Sequence, residues 1–341
     1  MRERVIALIV CSMIFVAVLI IGVITAARST VRTEPEKPVA VEKAPVQPLP
    51  PPPPEEPPPK KTRYKRRNAP AVYSNFINPA APVKLPGNLA AYKFKAGILV
   101  DLNTRKVLWS KNASIPVPIA SLTKLLTIYT AFEELEQREE LNLHSLVTVS
   151  RECTLAAPVK IRLTPGEKVK LHHLFIYSML KSANDASHLL AEYFGYGDSS
   201  RFIAMMNNKA REINMTSSSF VNANGLPIYG TTPQDVQMNR ASCMDMVKLI
   251  ERLYEYPMII RYTSSRQTTT PRGTLNNGNR LLGAVPGMEG LKTGYTNAAG
   301  NCLAFSCRRN GRRLVGVVTG FSKRQNCFDF TRKLLEWGFK N

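Results

Sequence analysis

A serine and a lysine three residues apart in "PIASLTKLLT" have the types and spacing of a nucleophile and its base. Ser121 stands at the head of an apolar helix pattern, so Lys124 follows one turn later on the same face. A serine hydroxyl needs a neighbouring base, and a lysine serves as one only when burial or nearby positive charge lowers its pKa. The simpler reading of Ser121 is a helix N-cap, because serine is common there.

A second pair with the same spacing, Ser178 and Lys181, lies in "YSMLKSAND". About one such pair is expected by chance in a chain of this size, so the spacing alone decides nothing. Ser178 falls inside an apolar helix pattern, whereas Ser121 follows an extended stretch and precedes an amphipathic helix. Context therefore favours Ser121.

Two further motifs follow in chain order. Ser182 and Asn184 of "KSANDAS" fall in a predicted loop between helices, and Lys292 of "LKTGYT" offers a second positive charge near Lys124. Taken separately, Asn184 and Asp185 could only cap a helix, and the Lys-Thr-Gly stretch could be a plain exposed strand. Together, in this order, the motifs are the signature of penicillin-binding proteins and class A β-lactamases.

The elements that must position these residues form a mixed pattern. Strands are predicted in "KAGILVDLNTRKVLWS" near the start and in "GMEGLKTGYT", "GNCLAFSCRRN" and "RLVGVVTGF" near the end. Helices are predicted between and after them, at 121–138, 171–180, 185–194, 200–213, 241–254 and 326–339. Strands at both ends with helices between them predict one α+β domain whose terminal strands share an antiparallel sheet.

The segment from about Leu89 to Phe339 resembles the D-alanyl-D-alanine carboxypeptidases, the low-molecular-mass penicillin-binding proteins. The stretches that carry the resemblance are "PIASLTKLLT", "MLKSANDAS", "FVNANGLP", "GLKTGYTNAAGNCL" and "LLEWGF". The resemblance implies a β-lactamase/DD-peptidase-like antiparallel sheet flanked by helices, with a helical subregion and the cleft at the edge strand that carries Lys292. It implies neither a cofactor nor a metal.

The resemblance also implies a role for each motif residue. Ser121 would attack the penultimate D-alanine carbonyl of a peptidoglycan stem peptide, Lys124 would be the general base, and Ser182 would pass a proton to the leaving amine. The implied substrate-binding residues are Asn184, Lys292, Thr293, Gly294 and Tyr295. Among them, Lys292 and Thr293 would bind the terminal carboxylate, and the backbone N–H groups of Ser121 and Tyr295 would hold the oxyanion. β-Lactam antibiotics would acylate the same serine as covalent inhibitors.

One position departs from this pattern. Some relatives carry an arginine for the substrate carboxylate just before the Lys-Thr-Gly strand, but the matching residue in "LNNGNRLL" is Gly278. Arg280 stands two residues further on, which makes it a less direct candidate for this contact.

Three other functions share the motifs. A β-lactamase needs a glutamate that activates the deacylating water, and no glutamate between Ser182 and Lys292 has a Glu-x-x-x-Asn setting. A DD-endopeptidase would cut cross-links between stems with the same residues. An inactive wall-binding scaffold would keep the fold without turnover.

The N-terminal region predicts a membrane-attached protein. Val5 to Ala27 contains no charged residue, and as a helix it would span about 35 Å, enough for a bilayer core of about 30 Å. Residues 1–28 therefore predict a signal anchor, with a cleaved signal peptide as the alternative. Residues 29–88 predict a linker that is proline-rich and then basic, and 89–341 the catalytic domain, on the outer side of a bacterial cell membrane.

Composition restricts the remaining classes. The formal net charge is +21, and the basic stretch "KKTRYKRR" is either a solvated segment or a contact for anionic wall or lipid groups. A nucleic-acid partner fits poorly with a predicted membrane span. The six cysteines show no C-x-x-C spacing, so a zinc site is not expected.

Overall fold

The computed structural model describes residues 76–78, 83–232 and 235–341, which all belong to the compact unit Lys60–Asn341. The predicted anchor and most of the predicted linker lie outside the described residues and remain predictions. Within the described part of the chain, no helix combines the length and the apolar character needed to cross a bilayer.

The scaffold of the domain is an antiparallel sheet of five strands in the order β2-β1-β11-β10-β9. The strands are β1 (Ala96–Asp101), β2 (Lys106–Lys111), β3 (Val117–Pro118), β4 (Leu146–Thr148), β5 (Lys168–Lys170), β6 (Arg240–Ala241), β7 (Gln267–Thr270), β8 (Gly273–Asn276), β9 (Met288–Thr296), β10 (Gly300–Arg309) and β11 (Arg312–Phe321). β1 pairs with β11, and β9 forms one edge. Both predictions, of terminal strands in a shared sheet and of Lys292 on an edge strand, are confirmed.

Helices cover the sheet and form the predicted helical subregion. They are α1 (Gly87–Ala90), α2 (Lys124–Gln137), α3 (Leu171–Ile176), α4 (Asn184–Phe194), α5 (Ser199–Glu212), α6 (Cys243–Leu253), α7 (Pro257–Ser264) and α8 (Arg324–Lys340), with 3-10 turns at Ala120–Thr123 and Cys153–Leu155 and a π turn at Tyr177–Lys181. The predicted helices are thus present with small shifts in their ends. α7 and the β7–β8 hairpin had no counterpart in the predictions.

The central strands are buried on both faces, because successive side chains of a strand point in opposite directions. Ile98 and Val100 of β1 join the larger core with helix α2, whereas Leu99 between them joins a second core with Phe330 of α8. Because both faces of these strands pack against apolar cores, their sequences are continuous apolar runs.

Packing against the sheet begins before residue 89. Phe76 is buried and lies under the guanidinium of Arg105, and the backbone N–H of Ile77 donates to the carbonyl of Arg105 at 2.9 Å. Short pieces of the segment that the sequence predicts as linker therefore contact the folded domain.

Candidate active site

Ser121 lies in the 3-10 turn that leads into α2, and the structure assigns it no helix-capping hydrogen bond. Ala120 before it has a φ of 47°, a left-handed conformation that is rare for a residue with a side chain. The hydroxyl of Thr123 donates to the carbonyl of Ala120 at 2.7 Å, and the amide of Asn239 donates to Thr123 Oγ1 at 2.9 Å. These contacts hold the turn so that the Ser121 hydroxyl faces the cleft rather than the helix.

Lys124 is fully buried, and its Nζ lies among three oxygen atoms. The distances from Nζ are 3.0 Å to Ser121 Oγ, 2.8 Å to Asn184 Oδ1 and 2.6 Å to the carbonyl oxygen of Asn224. A neutral amine has two N–H donors and one lone pair. Two N–H bonds to Asn184 and Asn224 therefore leave the lone pair directed at the Ser121 hydroxyl.

Burial lowers the pKa of Lys124 well below its ordinary value, and the positive charge of Lys292 lowers it further, against an opposing effect of Asp185. Burial also lowers the pKa of Lys292, to about 7, with a smaller contribution from Arg324. The charge of Lys292 that lowers the pKa of Lys124 is the neighbouring positive charge that the sequence predicted for this pair.

Ser182 and Asn184 lie where the π turn ends and α4 begins. Ser182 ends the π turn with a φ of 61° and lines the same cleft as Ser121. Asn184 is buried, and neither it nor Asp185 caps the helix: the N-cap position is Ala183, without a side-chain hydrogen bond. The side-chain oxygen of Asn184 instead accepts from Lys124, so Asn184 orients the amine.

The edge strand β9 brings Thr293, Gly294 and Tyr295 to the cleft. A Cβ atom at Gly294 would lie 3.0 Å from the backbone nitrogen of Ser121 and 3.1 Å from the carbonyl oxygen of Ile119. Glycine is therefore needed at this position for β9 to approach the nucleophile turn. Tyr295, the next residue of β9, therefore follows directly after the point of contact with the nucleophile turn.

Asn224 lies in the stretch "FVNANGLP", which carries part of the family resemblance but gave no sign of a role for this residue. Its backbone carbonyl, rather than its side chain, accepts from Lys124. The loop is held by Asn222, whose Oδ1 accepts from the N–H of Gly225 at 2.7 Å, and Gly225 itself lies against Ala120. Gly225 has a φ of 85°, and a Cβ there would lie 2.1 Å from the carbonyl oxygen of Ala120.

Arg324 is the second residue that the sequence analysis missed. The cleft has a volume of about 580 Å³, and Arg324, at the first residue of α8, lines it beside Thr293 and Gly278. Its guanidinium donates to the carbonyl of Gly278 at 2.6 Å. Arg280 is exposed and is absent from the described lining of the cleft, so the arginine expected near this position comes from a different element.

The geometry defines a class of site. A serine hydroxyl beside a buried lysine of lowered pKa, in a cleft that is also lined by an arginine, fits acyl transfer to serine. Among the described residues, no cluster of histidine, cysteine or acidic side chains is suited to hold a metal ion. The five described cysteines are buried and unpaired.

A profile of the family described as D-alanyl-D-alanine carboxypeptidase matches residues 84–323. The chain therefore belongs to the D-alanyl-D-alanine carboxypeptidase family.

The relatives carry more than one activity name. The carboxypeptidases DacF of Bacillus subtilis and DacC of Escherichia coli are each 30% identical over 254 residues, which cover 73% and 72% of this chain. The matched regions make up 63% and 61% of those two proteins, so the chain spans about three fifths of their length. A D-alanyl-D-alanine endopeptidase of Pseudomonas aeruginosa is 28% identical, over 76% of this chain and 80% of its own length.

Solved structures agree with the fold. Penicillin-binding protein D2 of Listeria monocytogenes in its ampicillin-bound form has a TM-score of 0.65 at 29% identity, over 73% of this chain and 98% of its own. The D-alanyl-D-alanine carboxypeptidase of Mycobacterium tuberculosis has a TM-score of 0.67 at 27% identity, over 78% of this chain and 96% of its own. The α+β DD-peptidase fold expected from the sequence is confirmed.

Proposed function

We propose that the chain is a serine-type D-Ala-D-Ala carboxypeptidase that removes the terminal D-alanine from peptidoglycan stem pentapeptides. The observation that carries the proposal is the position of Lys124 Nζ, 3.0 Å from Ser121 Oγ and within hydrogen-bond distance of Asn184 and Asn224. Those two acceptors occupy both N–H groups of the neutral amine, so the lone pair is available for the serine proton.

The reaction begins when Lys124 accepts the proton of Ser121 and the serine oxygen attacks the penultimate D-alanine carbonyl. Negative charge then develops on the carbonyl oxygen, and the backbone N–H groups of Ser121 and Tyr295 stabilise this charge. A single well-placed donor of this kind contributes about 3–4 kcal/mol. Ser182, in the cleft wall, gives its proton to the leaving amine and receives the proton that Lys124 took from Ser121, so the lysine becomes neutral again. Terminal D-alanine leaves, and water then hydrolyses the ester on Ser121.

The terminal carboxylate of the substrate binds at the cationic end of the cleft. Thr293 and Arg324 line this end, while Lys292 lies buried behind it, without a carboxylate partner among the described residues. Arg324 supplies the guanidinium that the neighbouring Gly278 position lacks. Charge-assisted hydrogen bonds of this kind contribute about 1.5–3 kcal/mol each.

β-Lactams acylate Ser121 by the same route and act as covalent inhibitors rather than substrates. No aspartate or glutamate is among the described residues that line the cleft, so a carboxylate base for rapid deacylation has no place there. This argues against a β-lactamase.

A DD-endopeptidase is the second candidate, because relatives of 28% identity in Pseudomonas aeruginosa and Escherichia coli carry that name. The two activities use the same attacking serine and differ in what leaves, a free D-alanine or a cross-linked stem.

The decisive experiment incubates the full-length protein with a pentapeptide muropeptide and with a cross-linked dimer, and identifies the products by mass. The proposal predicts loss of one D-alanine from the pentapeptide. Cleavage of the dimer alone would assign the endopeptidase activity, and an unchanged mixture with an intact fold would indicate an inactive wall-binding scaffold.

We further propose attachment to a bacterial cell membrane through residues 1–28, with the catalytic domain on the extracytoplasmic side and the proline-rich segment as a spacer. The support is the uncharged stretch Val5 to Ala27 and the substrate, which lies outside the cytoplasm. Alkaline extraction of membranes tests it: a protein that is released into the soluble fraction contradicts the anchor.

A further inference from the structure

Asp185 is a buried carboxylate that the proposed reaction does not use. It lies at the start of α4, directly after Asn184, and is completely excluded from solvent. Its Oδ1 accepts from the backbone N–H of Ile161 at 3.1 Å and of Ala186 at 2.9 Å, and its Oδ2 from Arg162 at 2.9 Å and Leu163 at 3.3 Å. Each oxygen thus accepts two backbone N–H donors.

Three of these four donors belong to residues 158–163, which we call the wall segment. Pro158 and Val159 of this segment line the cleft, as do Gly294 and Tyr295 of β9. The segment is also joined to Asn184 directly, since the backbone N–H of Asn184 donates to the carbonyl of Val159 at 2.7 Å.

Residues outside the wall segment hold the backbone of Arg162 in place. Arg162 has a φ of 63°, an unfavourable conformation for a residue with a side chain, and its N–H is one of those bound by Asp185. On the outer side, Arg272 of the β7–β8 turn donates to the carbonyl of Arg162 at 3.0 Å and pairs with Glu167. Asp185 is therefore the inner support of the wall and Arg272 the outer one.

We propose that Asp185 is a positioning residue of the peptidase site, which fixes the wall segment beside Asn184 so that the cleft accepts an extended peptide between this wall and β9. The inference rests on the proposed function, because it concerns peptide binding in the same cleft. The proposal predicts different effects on two kinds of ligand. An extended stem peptide contacts the wall segment, whereas a small β-lactam depends mainly on the groups around Ser121.

The charge of Asp185 also affects how the activity depends on pH, which distinguishes a positioning role from a purely structural one. The charged groups that face Lys124 are Lys292 from β9 and Asp185 from α4, and the negative Asp185 raises the pKa of Lys124 against the larger lowering effects. Without this charge the pKa of Lys124 falls further, so the base stays neutral to lower pH. The acid limb of the pH profile therefore moves to lower pH, a shift that mere loosening of a loop does not predict.

The test compares Asp185→Asn with Asp101→Asn in the full-length protein. Asparagine keeps one acceptor but turns the other oxygen into an N–H group that faces the donors of Arg162 and Leu163. Asp101 is a matched control, since it is also buried, accepts backbone N–H bonds from Asn103 and Thr104, and lies on β1 outside the cleft.

For Asp185→Asn we expect amide hydrogen exchange at residues 161–163 to speed up and the KM for a pentapeptide to rise, each by about tenfold. Acylation by penicillin at the pH optimum should change by less than about threefold, and the acid limb should shift downward. Asp101→Asn should change none of these quantities. Exchange at residues 161–163 as slow as in the parental protein would overturn the proposal, as would a KM and an acid limb equal to those of Asp101→Asn.

Two further results keep the inference apart from the proposed function and from folding failure. Hydrogen exchange and penicillin acylation are measurable even if the parental protein releases no D-alanine, a result that would contradict only the carboxypeptidase assignment. If Asp185→Asn does not fold, the exposed Arg272→Gln loosens the wall from outside and should raise the peptide KM without moving the acid limb. An unchanged KM in that variant would then overturn the proposal.

Discussion

The chain contains two serine–lysine pairs of identical spacing, and only one of them forms a contact. Lys124 Nζ lies 3.0 Å from Ser121 Oγ, whereas Ser178 Oγ pairs with Ser187 Oγ at 2.8 Å and Lys181 is exposed. The local helix type explains the difference. Ser121 lies in the 3-10 turn Ala120–Thr123, a tight backbone in which side chains three residues apart align, and Lys124 follows directly at the first residue of α2, whereas Ser178 and Lys181 lie in the wider π turn Tyr177–Lys181. A serine and a lysine three residues apart therefore come into contact only where the backbone aligns their side chains.

The largest difference between the two serine–lysine pairs is expected when each lysine is replaced by arginine. Arginine keeps a positive charge but does not release its proton in proteins, so Lys124→Arg should lower the acylation rate by about 1000-fold. Lys181→Arg should retain the parental rate. Rates are measured with a fluorescent penicillin, with circular dichroism as the control for folding. Near-parental acylation by Lys124→Arg would mean that another group is the base.

A second test concerns the contact of Gly225 with Ala120, which supports the turn that carries Ser121. Gly225→Ala places a Cβ against the carbonyl of Ala120, where the nearest atom is backbone and cannot move aside, so acylation should fall by about 100-fold and the Tm should drop. Gly197 has a similar φ of 89° but open space around it, so Gly197→Ala isolates the backbone strain. Equal effects of the two variants on acylation would show that contact with the nucleophile turn is unimportant.

Arg324 and Arg280 offer a similar comparison at the cationic end of the cleft. Arg324→Gln removes a charge-assisted contact to the substrate carboxylate and should raise the peptide KM by about tenfold. Arg280→Gln should leave KM unchanged, because Arg280 does not line the cleft. Steady-state release of D-alanine measures both, and a larger effect of Arg280→Gln would reverse the assignment.

The smallest effect concerns pH. Burial lowers the pKa of Lys292 to about 7, so above that pH the cation behind the carboxylate site is lost. The value of kcat/KM for the peptide should therefore decline by a few-fold as pH rises through about 7, and Lys181→Gln should keep the same profile. A flat profile up to pH 9 would contradict a functional charge on Lys292.

The motifs predicted much of the site because each is a local pattern with a chemical reason. Ser121, Lys124, Ser182, Asn184 and Lys292 were identified in this way, and the structure brings them to one region, with Thr293, Gly294 and Tyr295 on the edge strand. Their catalytic and binding roles remain proposals. The sheet was predictable because its long apolar strands lie at the two ends of the domain.

What the sequence could not provide depends on tertiary contacts. Asn224 acts through its backbone carbonyl, which any residue has, so its side chain gives no signal. Arg324 reaches the cleft only because α8 begins beside Gly278, far away in sequence. Asp185 seemed to be a helix cap, and its contacts with residues 161–163 become visible only once the loop has folded. α7 has only eight residues, and the β7–β8 hairpin is short and largely exposed, so periodicity did not predict them.

The most direct test of the central claim is the site at which penicillin attaches. The full-length protein is incubated with a penicillin, digested, and mapped by mass spectrometry, in parallel with Ser121→Ala and Ser178→Ala. We expect one adduct, on the peptide that contains Ser121, in the parental protein and in Ser178→Ala, and none in Ser121→Ala. An adduct that persists in Ser121→Ala, or that disappears in a folded Ser178→Ala, would contradict the assignment of Ser121 and Lys124 as nucleophile and base.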